Sequence, residues 1–382
     1  MHNKRERESE DISYLKEKVR LIAFYLPQFH PIPENDLWWG KDFTEWTNVK
    51  KAKPNFVDHY QPRVPGDLGY YDLRRPEVRE KQAELARKYG IYGFCYYYYW
   101  FNGKRLLSRP LDEILSSGQP DFPFCICWAN ENWTRRWDGL DSEILIEQTY
   151  SSEDDVNFIN SLIPFFKDAR YIRIDSKPLL LVYKVSLLPD PIGTTEIWRR
   201  RCMDEGIGQI YLAAVQGNDF FDNPWIYGFD AAVEFPPHRF AVPAKPQKIT
   251  NKKFQGNIYD YIATAGNFIN RDTPHFRLFR TVMPGWDNTA RRQDSGHIFI
   301  NSTPDEYGSW LKTIIEWTLE NLPEKERIVF INAWNEWGEG NYLEPDEKFE
   351  YQYLEATLNA IRNAGDHDIK TNEDKNGSEK AN

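Results

Sequence analysis

Residues 327–340 read RIVFINAWNEWGEG. The first half is a short apolar run of the kind a strand buried on both faces shows. Within a few residues it turns into Trp334-Asn335-Glu336-Trp337-Gly338-Glu339-Gly340, two carboxylates three residues apart, bracketed by tryptophans and loosened by glycines. A buried strand that opens into an acid-bearing loop is what the C-terminal end of a strand in a parallel α/β protein presents. Rings and paired acids together suit a polyhydroxyl ligand. Indole faces cover the apolar faces of a pyranose, and carboxyl groups move protons on its oxygens.

Working outward, seven more strand-like runs occur at 21–27, 93–100, 122–128, 178–183, 210–215, 231–235 and 281–286; the run that opens the quoted stretch, 328–333, is the eighth. Helical periodicity fills most of the intervals, at 74–89, 111–117, 153–168, 194–205, 258–265, 305–322 and 351–363. A doubly wound open sheet shows the same alternation, so the count of eight is what favours a (β/α)8 barrel of the TIM type. The segment 28–71 has no clear period, yet it holds Trp38, Trp39, Trp46, His59 and Tyr60. A loop that long and that aromatic reads as functional, which makes this a barrel with long aromatic-rich βα loops. The expected organisation is a charged arm over 1–19, one catalytic domain over 20–365 and a disordered polar tail over 366–382.

In a parallel barrel the chemistry gathers at the C-terminal strand ends. Those ends offer Tyr25, Gln28 and His30 on the first strand, with Trp46 in the loop that follows. The second offers Tyr98 and Trp100; the third Trp128, Asn130, Glu131 and Trp133; the fourth Tyr183; the fifth Gln216; and the sixth Glu234. The seventh gives Trp286 and Asp287, and the eighth Trp334, Asn335, Glu336, Trp337 and Glu339. Each has an ordinary structural reading, and the concentration is what points to one cleft for a sugar polymer.

Composition narrows the field. Aromatic residues make up 15% of the 382, more than a core of this size needs. The formal net charge of −10 and the lack of a basic stripe argue against nucleic acid. There is no glycine-rich phosphate loop after any strand, no serine nucleophile elbow and no metal-ligand spacing of His or Cys. An Asp-x-Asp pair of the sort a metal-dependent sugar-nucleotide transferase uses occurs only at Asp366–Asp368, in the tail. The expectation is therefore an enzyme without metal or organic cofactor. Cys95, Cys125, Cys127 and Cys202 lie in strand-like or helical runs and read as free core thiols, which favours a reducing compartment. With no apolar stretch of membrane-spanning length and no signal peptide in the charged start, the expected location is cytoplasmic.

The strings FYLPQFHPIPEND, WWGKDFTEWTNV, GFCYYYYWFNGKRLL, FCICWANENWTRRW and WNEWGEGNYLEP together resemble the WbsX-like family, from about residue 21 to 363. That family is related to glycoside hydrolase family 99, whose members are endo-acting α-mannosidases with a WNEWHEG-type motif on a (β/α)8 barrel. The resemblance implies that Glu336 takes the proton of the substrate 2-hydroxyl, giving a 1,2-anhydro sugar. It implies that Glu339 is acid to the leaving oxygen and then base to water, with net retention. Those roles call for a raised pKa on Glu339. Gly338 stands where family 99 has histidine, which puts the substrate in question. WbsX-like proteins also resemble products of O-antigen and capsule gene clusters, so a glycosyltransferase of lipopolysaccharide or capsule assembly is the competing reading, and a non-catalytic carbohydrate-binding barrel is the third.

Overall fold

Eight parallel strands close on themselves. In chain order they are β1 Arg20–Tyr25, β2 Gly93–Phe101, β3 Phe124–Trp128, β4 Lys177–Val182, β5 Tyr211–Gln216, β6 Ala231–Glu234, β7 Leu278–Val282 and β8 Ile328–Ile331. Each strand pairs with its successor, and β1 pairs both with β2 (Ile22 opposite Gly93) and with β8 (Arg20 opposite Ile328). No edge is left on the barrel. These relations come from a computed structural model that describes residues 18–135, 140–217 and 219–364. The arm expected over 1–19, apart from Lys18 and Val19, and the tail over 366–382 lie outside them.

The crossovers carry helices: α1 Pro33–Trp39 and α2 Glu45–Lys51 in the first βα segment, α3 Pro76–Lys88, α4 Arg109–Ser117, α5 Ser152–Lys167, α6 Pro191–Asp204, α7 Tyr261–Ile269, the one-turn α8 Thr289–Arg292, and α9 Pro304–Asn321. A last helix covers 352–364. Local sequence explains their starts. Ser151, Asp190, Asp260 and Thr303 accept backbone N–H groups of the first turns they precede, and proline stands at the head of α3, α4, α6 and α9. Among the described residues no helix is long and apolar enough to cross a membrane.

Seven of the eight expected strands fall within about two residues of their places. The seventh is displaced, running Leu278–Val282 instead of 281–286, because Pro284-Gly285 cannot continue the ladder. Val242–Pro243 and Asn257–Asp260 join His297–Ile300 in a small sheet beside the barrel mouth.

Strand parity sets what faces where. Phe24, Tyr97, Phe235 and Phe330 meet inside the barrel, with Phe24 5.8 Å from Tyr97 and 5.2 Å from Phe235 between ring centroids. The alternate residues pack outward on helices: Trp128 stacks on Phe158 of α5 at 4.2 Å, and Tyr98 hydrogen-bonds Ser161 at 2.8 Å. All four cysteines are buried and unbridged. Between β6 and β7, Glu234 is enclosed with two arginines, Arg271 at 2.6 Å and Arg280 at 3.1 Å. Glu234→Ala leaves Arg280, 1% exposed, without a counter-charge; the expected loss is roughly 3–5 kcal/mol of unfolding free energy, read by urea denaturation.

Candidate active site

A cavity of about 630 Å³ opens at the C-terminal end of the barrel. Glu336 and Glu339 lie on it, and a single guanidinium holds both: Arg291 Nη2 is 2.8 Å from Glu336 and Nη1 is 2.7 Å from Glu339. The third edge of that guanidinium goes to Glu45, with Nε 2.7 Å from Oε1. Three carboxylates thus share one cation. Glu45 is carried by α2 and Arg291 by α8, so the first and seventh βα segments meet over the loop that follows β8.

The loop itself is built by its glycines and tryptophans. Gly340 sits at φ +57, and a Cβ there would approach the Asp287 carbonyl at 2.9 Å. Trp337 stacks on Tyr342 at 3.7 Å and donates its indole N–H to Glu344 at 2.6 Å. Glu344 also accepts from Tyr71 at 2.9 Å and from Gln82 at 2.6 Å. Burial pushes its carboxyl up to about 7, against those three donors. Asn335 bonds both backbone groups of Leu26, at 2.7 and 3.1 Å, tying the loop to the end of β1.

Burial separates the two acids. Burial raises the Glu336 carboxyl, Arg291 opposes this, and repulsion from Glu339 and Glu45 adds to it, leaving it at about 8. The Glu339 side chain is 22% exposed against 6% for Glu336. An upward shift is thus found on Glu336. Behind Glu336 stand the phenols of Tyr97 and Tyr99, held protonated by burial and then by the charge of Glu336. Gln28 donates to the Tyr99 hydroxyl at 3.1 Å.

The cavity gathers seven of the expected site residues: Gln28, Glu131, Trp133, Tyr183, Trp286, Glu336 and Glu339. Trp133 stands edge-on to Tyr99 at 5.2 Å, and Tyr183 edge-on to Phe235 at 5.3 Å. The others lie off it. Tyr25 turns outward to Gln82 at 2.6 Å, and Trp100 donates to Asp154 at 2.9 Å. Tyr98 and Trp128 face α5 as described, and Trp334 is fully buried against Phe94. Trp46 donates to the Tyr71 carbonyl at 2.8 Å and packs on Trp337, so it supports the acid loop from behind. Asn130 ties the ends of β3 and β4 through Lys184, Gln216 accepts from Arg271, and Glu234 is the ion-pair centre above. His30 is 2% exposed, and burial lowers its imidazole to about 4. For these residues the structure shows packing and backbone support.

Sequence reasoning passed over Tyr97, Tyr99, Trp39, His238, Arg291 and Glu45. Trp39 and Glu45 stand in the WWGKDFTEWTNV string and Tyr97 and Tyr99 in the GFCYYYYWFNGKRLL string, whereas His238 and Arg291 carried no signal. Asp287, noted at the end of the seventh strand, turns away from the cavity, where His59 at 2.8 Å and Gln61 at 2.7 Å fasten the long first loop to the barrel. Its backbone N–H also donates to the Glu339 carbonyl at 2.6 Å. Among the described residues no cluster of His, Cys, Asp and Glu is arranged to hold a metal ion.

The closed parallel barrel thus carries paired carboxylates among aromatic rings at its C-terminal mouth. A family model described as Glycosyltransferase WbsX matches residues 21–357, and the chain belongs to that family. Proteins from two strains of Xanthomonas campestris pv. campestris, each called uncharacterized protein WxcX, are 48% identical to it over 348 residues. That alignment covers 91% of this chain and 50% of theirs, so the chain spans about half the length of the curated relatives it matches. Among solved structures, a glycoside hydrolase-like protein superposes with a TM-score of 0.58 at 14% identity, covering 90% of this chain and 94% of the other. The GH99 endo-alpha-mannosidase from Bacteroides thetaiotaomicron, solved with bis-tris-propane, gives 0.54 at 18% identity, covering 91% and 98%. At these identities the likeness is one of fold.

The Asp287 network has a pH signature. Burial alone would raise this carboxyl, but His59 and Arg63 hold it down to about 2. A depressed carboxylate stabilises the fold above its unfolded pKa near ~4, and the gain is lost as pH falls towards the folded value. In urea titrations from pH 6 to 2, Asp287→Asn is expected to be less stable at pH 6 by about 2–3 kcal/mol and to lose less stability below pH 4 than wild type.

Proposed function

We propose that this chain is a retaining glycoside hydrolase that cleaves a bacterial polysaccharide through a 1,2-anhydro sugar. The observation that carries the reading is the Glu336/Glu339 pair, fixed on one guanidinium at an aromatic-lined cavity. Glu336, the more buried acid, is the base that takes the sugar 2-hydroxyl proton while that oxygen attacks the anomeric carbon. Its raised pKa suits the role, since a base with a pKa near working pH combines availability with proton affinity. Glu339, the more open acid, protonates the departing glycosidic oxygen. It then accepts a proton from the water that attacks the anomeric carbon while Glu336 returns its proton to O2 as the three-membered ring opens, and two displacements restore the anomeric configuration. Trp133, Trp286, Tyr97 and Tyr99 line the cavity and supply ring faces and phenol hydroxyls for the sugar.

A second reading is favoured by the family's own description. In a glycosyltransferase the same pair serves, but a sugar hydroxyl replaces water in the second step, and the product is a longer chain. A non-catalytic binding barrel gives no reason for two acids to share a guanidinium in the cavity.

With the source organism's surface polysaccharide as substrate and new reducing ends as the readout, Glu336→Gln and Glu339→Gln are each expected to lower kcat by about 10³-fold while ligand binding persists. Unchanged turnover in either variant contradicts the assignment. The pH profile carries a sign. The active form has Glu336 ionised and the proton on Glu339, so kcat is expected to fall above about pH 8, where the cluster loses the proton that the two acids share.

A further inference from the structure

Position 338 has no room for a side chain. A Cβ built on Gly338 lies 1.6 Å from Glu45 Oε1 and 2.9 Å from Arg291 Nε. The space beside the acid loop is therefore taken by a pair of side chains from two other segments. Glu45 has a side chain that is fully buried, and its backbone N–H donates to the Gln28 carbonyl at 3.2 Å, so α2 starts against the end of β1. Among the described residues its ion-pair partner is Arg291. A planar fork held on Nε, Nη1 and Nη2 by three different carboxylates cannot rotate or slide, which a lysine point charge would do freely.

We propose that Arg291 and Glu45 are positioning residues for the acid pair: Glu45 anchors the guanidinium, and the guanidinium sets the separation and orientation of Glu336 and Glu339. This rests on the reading that those two acids do the chemistry. The charged and titratable groups facing Glu336 are Arg291 from α8, Glu45 from α2, Glu339 from its own loop, and Tyr97 and Tyr99 from β2. Two of them act on it with opposite sign. Loss of the Arg291 charge removes an attraction, and loss of the Glu45 charge removes a repulsion. A pair that merely braced the fold would leave turnover near wild type in a folded Arg291→Lys, which keeps the charge and loses the fork.

The test uses the full chain labelled with carbon-13 at the glutamate side-chain carboxyls and titrated by NMR, with the Glu336 signal assigned by its disappearance in Glu336→Gln. In Glu45→Gln the Glu336 midpoint is expected to move down, and in Arg291→Gln up, each by about one pH unit. Arg291→Lys keeps the charge and loses the fork, so its midpoint is expected to stay near wild type while turnover on the source organism's polysaccharide falls at least tenfold. Arg291→Lys and Glu45→Gln are mild enough to keep the proposal testable if Arg291→Gln does not fold. A Glu336 midpoint unmoved in Glu45→Gln and in any folded Arg291→Gln, or wild-type turnover in Arg291→Lys, overturns it. If Glu336→Gln and Glu339→Gln lose turnover but the midpoint stays fixed, positioning alone fails. If those two variants keep turnover, it is the acid-pair reading that falls.

Discussion

One guanidinium shared by three carboxylates is the interaction on which the rest of this site depends. Arg291 meets Glu45, Glu336 and Glu339 at 2.7–2.8 Å. With all three acids ionised the cluster carries a net charge of −2 in a site where burial penalises every charge. It therefore keeps a proton, and the most buried cavity carboxyl, Glu336, holds it up to about pH 8. The geometry also decides the local sequence. Two acids three residues apart reach the same cation because the chain makes a single tight turn over Trp337–Glu339, and Gly338 leaves the space that the Glu45 carboxylate fills.

The scaffold serves this cluster from several sides. The segment after β1 returns to the barrel through His59 and Gln61 on Asp287, and Asp287 in turn bonds the backbone of Glu339. Beneath the loop, Glu344 gathers Tyr71, Gln82 and Trp337 in a satisfied buried network. Such networks hold one conformation because leaving any member unpaired is costly. The aromatic surplus is thereby divided. Some rings face the cavity, and others, Trp46 and Trp337 among them, brace the residues that do.

The barrel was legible in the sequence because buried parallel strands are continuous apolar runs and the intervening helices carry caps and period. Parity was not legible. In the run from Gly93 to Phe101 every position from 96 to 101 is aromatic, so no alternation marks which rings point inward. The structure turns Tyr97 and Tyr99 to the cavity and Tyr98 and Trp100 to the helices. The same ambiguity placed Tyr25 and Trp128 in the cleft when both face outward. Glu336 and Glu339 could be read because their motif sits directly after a strand. Arg291 and Glu45 come from a one-turn helix and an aperiodic segment, where no spacing announces that they will converge.

The central claim is that the acid pair transfers a glycosyl group to water. Mass spectrometry of products formed from the source organism's surface polysaccharide in heavy-oxygen water tests it most directly. The account predicts one heavy oxygen at each new reducing end, and none when Glu339→Gln replaces the wild type. Unlabelled products whose chains lengthen on addition of a nucleotide sugar or a lipid-linked donor would contradict hydrolysis and establish the barrel as a transferase.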